Sequence, residues 1–564
     1  MKSKLNAREK FNRKRLIFLI IILIFIALVI VSFFVNKSYT NTQGWINFFN
    51  NVSHMFSFRN NSPVNENLLF ETISLFFINI FFVSSGTLIG AFFAYFFIFF
   101  SSDRIQSNRI KIPFKFFIYI SYCLPFFIFA FLFIGHLNIY LGTIFTVAWI
   151  SFILIHRSLN SFIEKADLGY YYQMVISGRS KFYSYSKWLH VHIDDFYRII
   201  LLRLESNSRY TSFIPFFGAP HAASLLGNFV SHGDSSDFNY LGIPLLTLII
   251  LYIIFEILIF KAVSFFKYEE EKNHNFHNIR KAMRTSNIFN FFFLTFWTLI
   301  ALAALIVGFY STTQNEWINY GSSVRIVFES NFSNFSATYF FTSSGITFLQ
   351  IVFAFALAIF AGFLCGILLS PVTTPNVVNK IAFLLVFLFR TMPTIVLFFL
   401  FRPIFDNAIT TAIFSVAISQ SISLAMTIKS RIGEWSRDIN KKISLSIRKI
   451  GWFRTQTKFT IPLLSLIGKE SSGMMVYDML QHLLIFGAFS ANPIGINFSL
   501  ANSEISTVYV PILKSTIPNL IPFIFLAVLS VNYQNFVLEH FASFRVKSDF
   551  RFAANVAASR ARLF

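Results

Sequence analysis

Residues 16–34 read LIFLIIILIFIALVIVSFF, with Ser32 as the only hydroxyl-bearing side chain in the stretch. At a 1.5 Å rise, roughly 20 apolar residues cross the ~30 Å hydrocarbon core of a bilayer, and this run meets that length. An amphipathic core helix would keep a polar stripe, and none is present here. Residues 249–260 (IILYIIFEILIF) repeat the pattern far along the chain. Of the 564 residues, 55% are hydrophobic and only 13% charged, which excludes an ordinary soluble domain of this size. The sequence therefore predicts an all-α polytopic membrane protein with about twelve transmembrane helices.

The net charge of +22 would suggest nucleic acid in a soluble protein, but its placement argues for membrane topology. Lys2, Lys4, Arg8, Lys10, Arg13, Lys14 and Arg15 precede the first span, whereas residues 36–67 carry only Lys37 and Arg59. The alternation runs on to Arg545, Lys547, Arg551, Arg560 and Arg562. By the positive-inside rule both termini are expected in the cytoplasm, and no nucleic-acid partner is needed. The first apolar run is longer than a signal core, and VSFFVNKSYTN after it offers no small-x-small cleavage site, so an uncleaved helix is expected. The two cysteines, Cys123 and Cys365, both lie in apolar segments, which argues against a disulfide or a thiolate metal site.

Spans are expected near 16–34, 69–100, 116–135, 139–156, 194–217 and 241–263, and again near 287–309, 342–369, 381–403, 408–428, 465–486 and 509–533. A polar linker, residues 267–287, separates the two sets. Six spans return the chain to the side it started from. Residues 1–270 and 271–564 thus read as two parallel six-helix repeats, related by an axis along the membrane normal.

Each half holds one long cytoplasmic segment between its fourth and fifth spans, at 157–193 and 429–464. Both carry a glycine followed by a basic, aromatic stretch: residues 178–191 (GRSKFYSYSKWLHV) and 451–462 (GWFRTQTKFTIP). Gly178 and Gly451 lie 273 residues apart (451 − 178 = 273), and the same offset pairs Glu205 with Asp478 and Arg209 with His482. Three matches at one offset indicate an internal repeat. A solvated basic loop would explain one such segment. Two in symmetric positions suit a pair of identical partner subunits receiving a helix in a groove.

At these residues the chain resembles the permease subunits of binding-protein-dependent ABC importers, whose cytoplasmic loop runs Glu-Ala-Ala, three residues, Gly, and later Pro. Tyr172-Gln173-Met174 and Leu445-Ser446-Ile447 stand where the acidic triplet would begin. Pro462 fits the late proline of the second half, while Leu189 takes that place in the first. Residues 202–219 (LRLESNSRYTSFIPFFGA) and 237–256 (DFNYLGIPLLTLIILYIIFE) are similar to the end of phosphonate-type permeases. Glu205, Arg209, Gly218, Ala219, Tyr240 and Glu256 fall at that family's acid, arginine, Gly-Ala turn, tyrosine and last-span acid. Arg390-Thr-Met-Pro393 resembles its Arg-x-x-Pro element, of which the first half keeps Pro125. The resemblance implies two copies of a separate ABC ATPase as partners, docking on segments that include Tyr172, Gly178, Arg179, Lys187, Leu445, Gly451, Arg454 and Pro462. It also implies an extracytoplasmic substrate-binding protein or lipoprotein. The substrate would be a phosphonate, a phosphate-like anion or a phosphorylated vitamin such as thiamine diphosphate.

A charged side chain at mid-membrane costs at least ~2.5–3.5 kcal/mol, so such residues usually face a cavity or a partner. Arg203, Glu205, Arg209, Arg390, Asp478 and His482 are charged or ionisable residues inside expected spans. Glu205 and Arg209, one helical turn apart, can pair on one face, either as packing or as pathway lining. His190 and His192 read as surface residues rather than metal ligands. Gly468-Lys469-Glu470 lacks P-loop spacing and no Walker A sequence occurs, so no ATP hydrolysis is expected of the chain alone, and no cofactor or metal. A six-plus-six facilitator is the alternative reading: Asp103-Arg104 resembles its loop motif, but the matching loop at 370–380 holds nothing similar. A membrane enzyme ranks below both, since no nucleophile constellation shares a membrane face.

Overall fold

The computed structural model describes residues 23–36, 40, 42–60, 67–124, 126, 129–130, 133, 137–211, 225, 237–271, 276–318, 320–321, 336–369, 374–392, 394–405, 407–433, 461–486, 492 and 521–533. In chain order the helices are α1 (Leu23–Val35), α2 (Thr42–Met55), α3 (Leu68–Ser101), α4 (Asn108–Cys123), α5 (Ile139–Lys165), α6 (Gly169–Ile176), α7 (Lys181–Val191) and α8 (Ile193–Tyr210). There follow α9 (Gly242–Glu271), α10 (Phe276–Ser311), α11 (Ala337–Leu368), α12 (Asn376–Thr391), α13 (Thr394–Phe401), α14 (Ala408–Gly433), α15 (Ile461–Ile485) and α16 (Ile521–Tyr533). Among the described residues no β-strand is formed; Thr40 and Phe405 make one isolated antiparallel bridge.

Among the described residues five helices are long and apolar enough to cross a bilayer: α3, α5, α9, α11 and α14. A sixth is added if α12 and α13 form one span. The protein is thus a helical, polytopic membrane protein. Helix α8 departs from expectation. It is 18 residues long, amphipathic and charge-bearing, and it is covered by α3, α5 and α9 rather than being apolar all round.

Helix starts follow local chemistry. Asn67 accepts from the Phe70 amide at the head of α3, Asn138 from Tyr140 at α5, and Ser336 from Tyr339 at α11. Small residues then bring helices close. A methyl group added at Gly90 of α3 would lie 2.5 Å from Ser151 Cβ and 2.6 Å from the Ala148 oxygen of α5. One added at Gly362 of α11 would lie 2.8 Å from Leu424 Cδ2 and 3.0 Å from the Ser421 oxygen of α14. In both helix pairs a glycine therefore lies tight against the facing helix, the packing expected where lipid supplies no hydrophobic drive between helices.

The chain forms two compact units. One comprises Ile46–Ser330 with Thr391–Leu400; the other comprises Met1–Trp45, Asn331–Arg390 and Phe401–Phe564. Neither unit follows a cut at residue 270. Helix α10 packs with α3 and α5, its Ala304 in one core cluster with Phe82 and Ile144. Helix α1 packs with α11: Ser32 Oγ donates to the Leu349 oxygen at 2.7 Å, and Phe25 and Phe33 stack edge-on against Phe355 and Phe353.

Candidate functional site

Helix α6 is short and ends in a turn that its sequence dictates. The Gly178 amide donates to the Val175 oxygen and the Arg179 amide to the Met174 oxygen, both at 3.1 Å, the two bonds of a Schellman cap. Gly178 sits at φ +85°, in the left-handed region, with open space where a Cβ would stand. The glycine is thus required by backbone conformation and not by crowding. Ser180 then caps α7 by accepting from the Tyr183 amide at 3.3 Å.

The α6–α7 pair is fixed from beneath. Tyr171, Tyr185, Trp188 and Leu189 are buried. Trp188 Nε1 donates to the Asp167 oxygen at 2.9 Å and the Tyr185 hydroxyl to the Tyr95 oxygen at 3.1 Å. Arg104 reaches the exposed end of α5, donating to the oxygens of Ile163, Glu164 and Ala166 at 2.9, 3.1 and 2.8 Å. This satisfies carbonyls that a helix end leaves open. Asp103 pairs with Lys111 at 2.8 Å and with Lys115, both on α4. Partial burial pushes the Asp103 carboxyl up, but the two ammonium groups outweigh it and hold it below its ordinary value. The outer surface of the pair carries Tyr170, Tyr172, Ile176, Arg179, Lys181, Tyr183 and Lys187, all exposed, with Ile176 at 84%. Arg179 and Lys187 each lie 5.7 Å from the Tyr183 ring centre.

The second constellation lies between α8 and α9. Arg209 pairs with Glu205 at 2.5 Å on its own helix, and Glu256 of α9 lies 3.9 Å away on the other side. One turn before Glu256, the Tyr252 hydroxyl donates to the Ser208 oxygen at 2.9 Å. Asn207 Nδ2 donates to Thr87 Oγ1 of α3 at 2.9 Å and to Ser151 Oγ of α5 at 2.7 Å, and Thr211 Oγ1 to Asn79 Oδ1 at 3.2 Å. A polar seam thus runs through the inside of this unit, and apart from the Glu205–Arg209 pair its bonds join α8 and its cap Thr211 to α3, α5 and α9.

The pairing of Glu205 with Arg209 follows from their spacing. Sequence reasoning did not find Asn207, Thr87 or Ser151, which meet only once α3, α5 and α8 pack together. Arg203 is half-buried on α8, and Arg390 is half-buried in the last turn of α12. On α15, His482 Nδ1 meets the main-chain oxygen of Asp478 at 2.7 Å, so the contact described there runs through the backbone. Pro462 occupies the second position of α15, where a helix has no amide bond to lose. Gly218, Pro393, Leu445, Gly451 and Arg454 lie outside the described residues.

The chain is similar to two curated relatives. It is 25% identical over 508 residues to "ABC transport system permease protein p69" of Mycoplasma genitalium, covering 86% of this chain and 89% of that protein. The protein of the same name from Mycoplasma pneumoniae is 24% identical over 505 residues, with the same coverage. No family model matches the chain, and no solved structure matches it. Most of its length is therefore shared with proteins named as ABC transporter permeases.

Proposed function

We propose that this chain is the transmembrane permease subunit of an ATP-driven importer. The observation that carries the reading is the α6–Gly178–α7 pair: a rigidly anchored helix–turn–helix presenting exposed aromatic and basic side chains beyond the end of α5. Such a surface suits the groove of a partner protein better than it suits water, where Ile176 would stay uncovered. The similarity to named ABC permeases over 86% of the chain supports the same reading.

On this reading the chain hydrolyses nothing itself. Two copies of an ABC ATPase dock on the segments around Gly178 and Gly451, and an extracytoplasmic binding protein or lipoprotein delivers the solute. About twelve spans form two parallel repeats, 1–270 and 271–564, with both termini cytoplasmic. The matching glycine contacts of α3 on α5 and of α11 on α14 support the repeat. The solute belongs to the phosphonate, phosphate-like anion or phosphorylated-vitamin class, by resemblance to phosphonate-type permeases. Arg203, Glu205, Arg209, Arg390, Asp478 and His482, with Gly218 and Pro393, are the pathway residues of this proposal.

The test is transport by the complete transporter in proteoliposomes. Uptake that requires ATP, together with an ATPase that co-purifies with the native chain and not with Gly178→Val, supports the proposal. Uptake driven by an ion gradient without ATP would replace it with the facilitator reading.

A further inference from the structure

Helix α2 carries three stripes at identical helical spacing, starting at residues 44, 45 and 43. Gly44, Phe48, Asn51 and Met55 form the first; Gly44, Asn51 and Met55 are buried and Phe48 is half-buried. Trp45, Phe49, Val52 and, in the turn that follows, Phe56 form the second. It is apolar and largely exposed, at 43% for Trp45, 63% for Phe49 and 70% for Phe56. Gln43, Asn47, Asn50 and His54 form the third, which is polar. Positions i, i+4, i+7 and i+11 share one face of a helix, so α2 has one side for protein, one for an apolar medium and one for water.

Its depth is fixed by its ties. A methyl group added at Gly242, the first residue of the membrane-crossing α9, would collide with the Met55 oxygen. His54 Nδ1 lies 3.1 Å from Asn239 Oδ1, and Ser57 Oγ donates to the Asn239 oxygen at 3.2 Å. Asn60 then accepts from the amides of Leu68 and Leu69, the first residues of α3. The C-terminal end of α2 is thus pinned where two helices of membrane-crossing length begin. The exposed Leu69 and Phe70 of α3 and Leu246 and Ile250 of α9 carry the apolar surface onward along those spans.

We infer that α2 is an interfacial helix, lying in the plane of the membrane with Trp45, Phe49, Val52 and Phe56 sunk among the headgroups and upper acyl chains. Trp and Phe favour that depth, and a helix with one apolar and one polar side lies along it rather than crossing. The lipid surface is the occupant because the apolar stripe begins at the ends of spans whose own apolar surface must already face lipid.

The experiment places a nitroxide at each of four positions of the full chain reconstituted in phosphatidylcholine nanodiscs, after Cys123→Ala and Cys365→Ala. The variants are Phe49→Cys, Val52→Cys, Asn47→Cys and Asn50→Cys. Collision with oxygen, which concentrates in lipid, is compared with collision with a water-soluble nickel chelate. The oxygen-to-nickel ratio should be severalfold higher at 49 and 52 than at 47 and 50. Equal, nickel-dominated ratios at all four would overturn the inference and leave the stripe as a protein-binding face. The native chain supplies an independent measurement: a phospholipid bearing a headgroup-proximal diazirine should crosslink to residues 42–58 on illumination. No crosslink there, with crosslinks present on α3 and α9, would equally overturn it.

Discussion

The Tyr172 hydroxyl donates to the main-chain oxygen of Arg104 at 2.9 Å, while the Arg104 guanidinium holds three carbonyls at the end of α5. One residue of the α3–α4 loop therefore joins the end of a membrane span to the short helix that precedes Gly178. Movement of α6 cannot leave α5 behind unless these bonds break.

Replacing Arg104 with lysine should loosen that joint without unfolding the chain. A lysine ammonium lacks the planar fork that reaches several carbonyls at once. Amide hydrogen exchange in residues 169–176 should speed up while membrane yield stays near the native level. Unchanged exchange would mean that the buried Tyr171, Tyr185 and Trp188 hold α6 by themselves.

At Gly178 the backbone lies in the left-handed region, which costs a residue with a Cβ about 1–2 kcal/mol. Gly178→Val should therefore disrupt the turn, and Gly178→Asn should be milder, since asparagine tolerates this conformation. Recovery of the co-purified ATPase should rank native, Asn, Val. Equal recovery from all three would remove the turn from the docking surface.

Removing Arg209 alone strands the Glu205 carboxylate, which is buried. Loss of one partner of a buried pair costs about 3 kcal/mol or more. Arg209→Ala should lower the amount of folded protein, and Glu205→Gln with Arg209→Gln should restore it. Where the double variant folds but does not transport, the pair acts in the pathway as well as in packing. Native transport by the double variant would confine it to packing.

Gly90→Val and Gly362→Val test the contacts of α3 on α5 and of α11 on α14. Each added side chain would push into the facing helix, at a cost of about 1–3 kcal/mol. Thermal unfolding in detergent should shift down in both variants, whereas Gly345→Val, with open space around it, should show a much smaller change.

The Asp103 carboxyl, held below its ordinary 3.8 by Lys111 and Lys115, contributes stability above its unfolded value and loses it as pH falls through the lower folded one. Between pH 5 and 8 the contribution is constant. The thermal midpoint of Asp103→Asn should therefore differ from native by a fixed amount across that range, and the difference should shrink only at more acidic pH.

Much of the site was legible because its signals are local. The spans of α3, α5, α11 and α14 announce themselves as apolar runs, Gly178 stands between two helix-forming stretches, and Glu205 and Arg209 are one turn apart. What escaped reading is long-range. Arg104 meets carbonyls some sixty residues away and resembles a loop motif of another transporter class when read locally. Asn207 is one polar letter in α8 until α3 and α5 bring Thr87 and Ser151 to it. The charge of α8 is accommodated by α3, α5 and α9 packed around it, which its own composition does not announce.

The partnership of α1 with α11 has a consequence for biosynthesis. Helix α1 leaves the ribosome first, yet Leu349, which accepts from Ser32, is made about 300 residues later, roughly 15–60 s at ~5–20 residues per second. Most of one unit, residues 46–330, is made before Leu349, whereas α1 must wait for α11 before it finds its partner. A chain that ends in the linker therefore holds α1 without the helix it docks against.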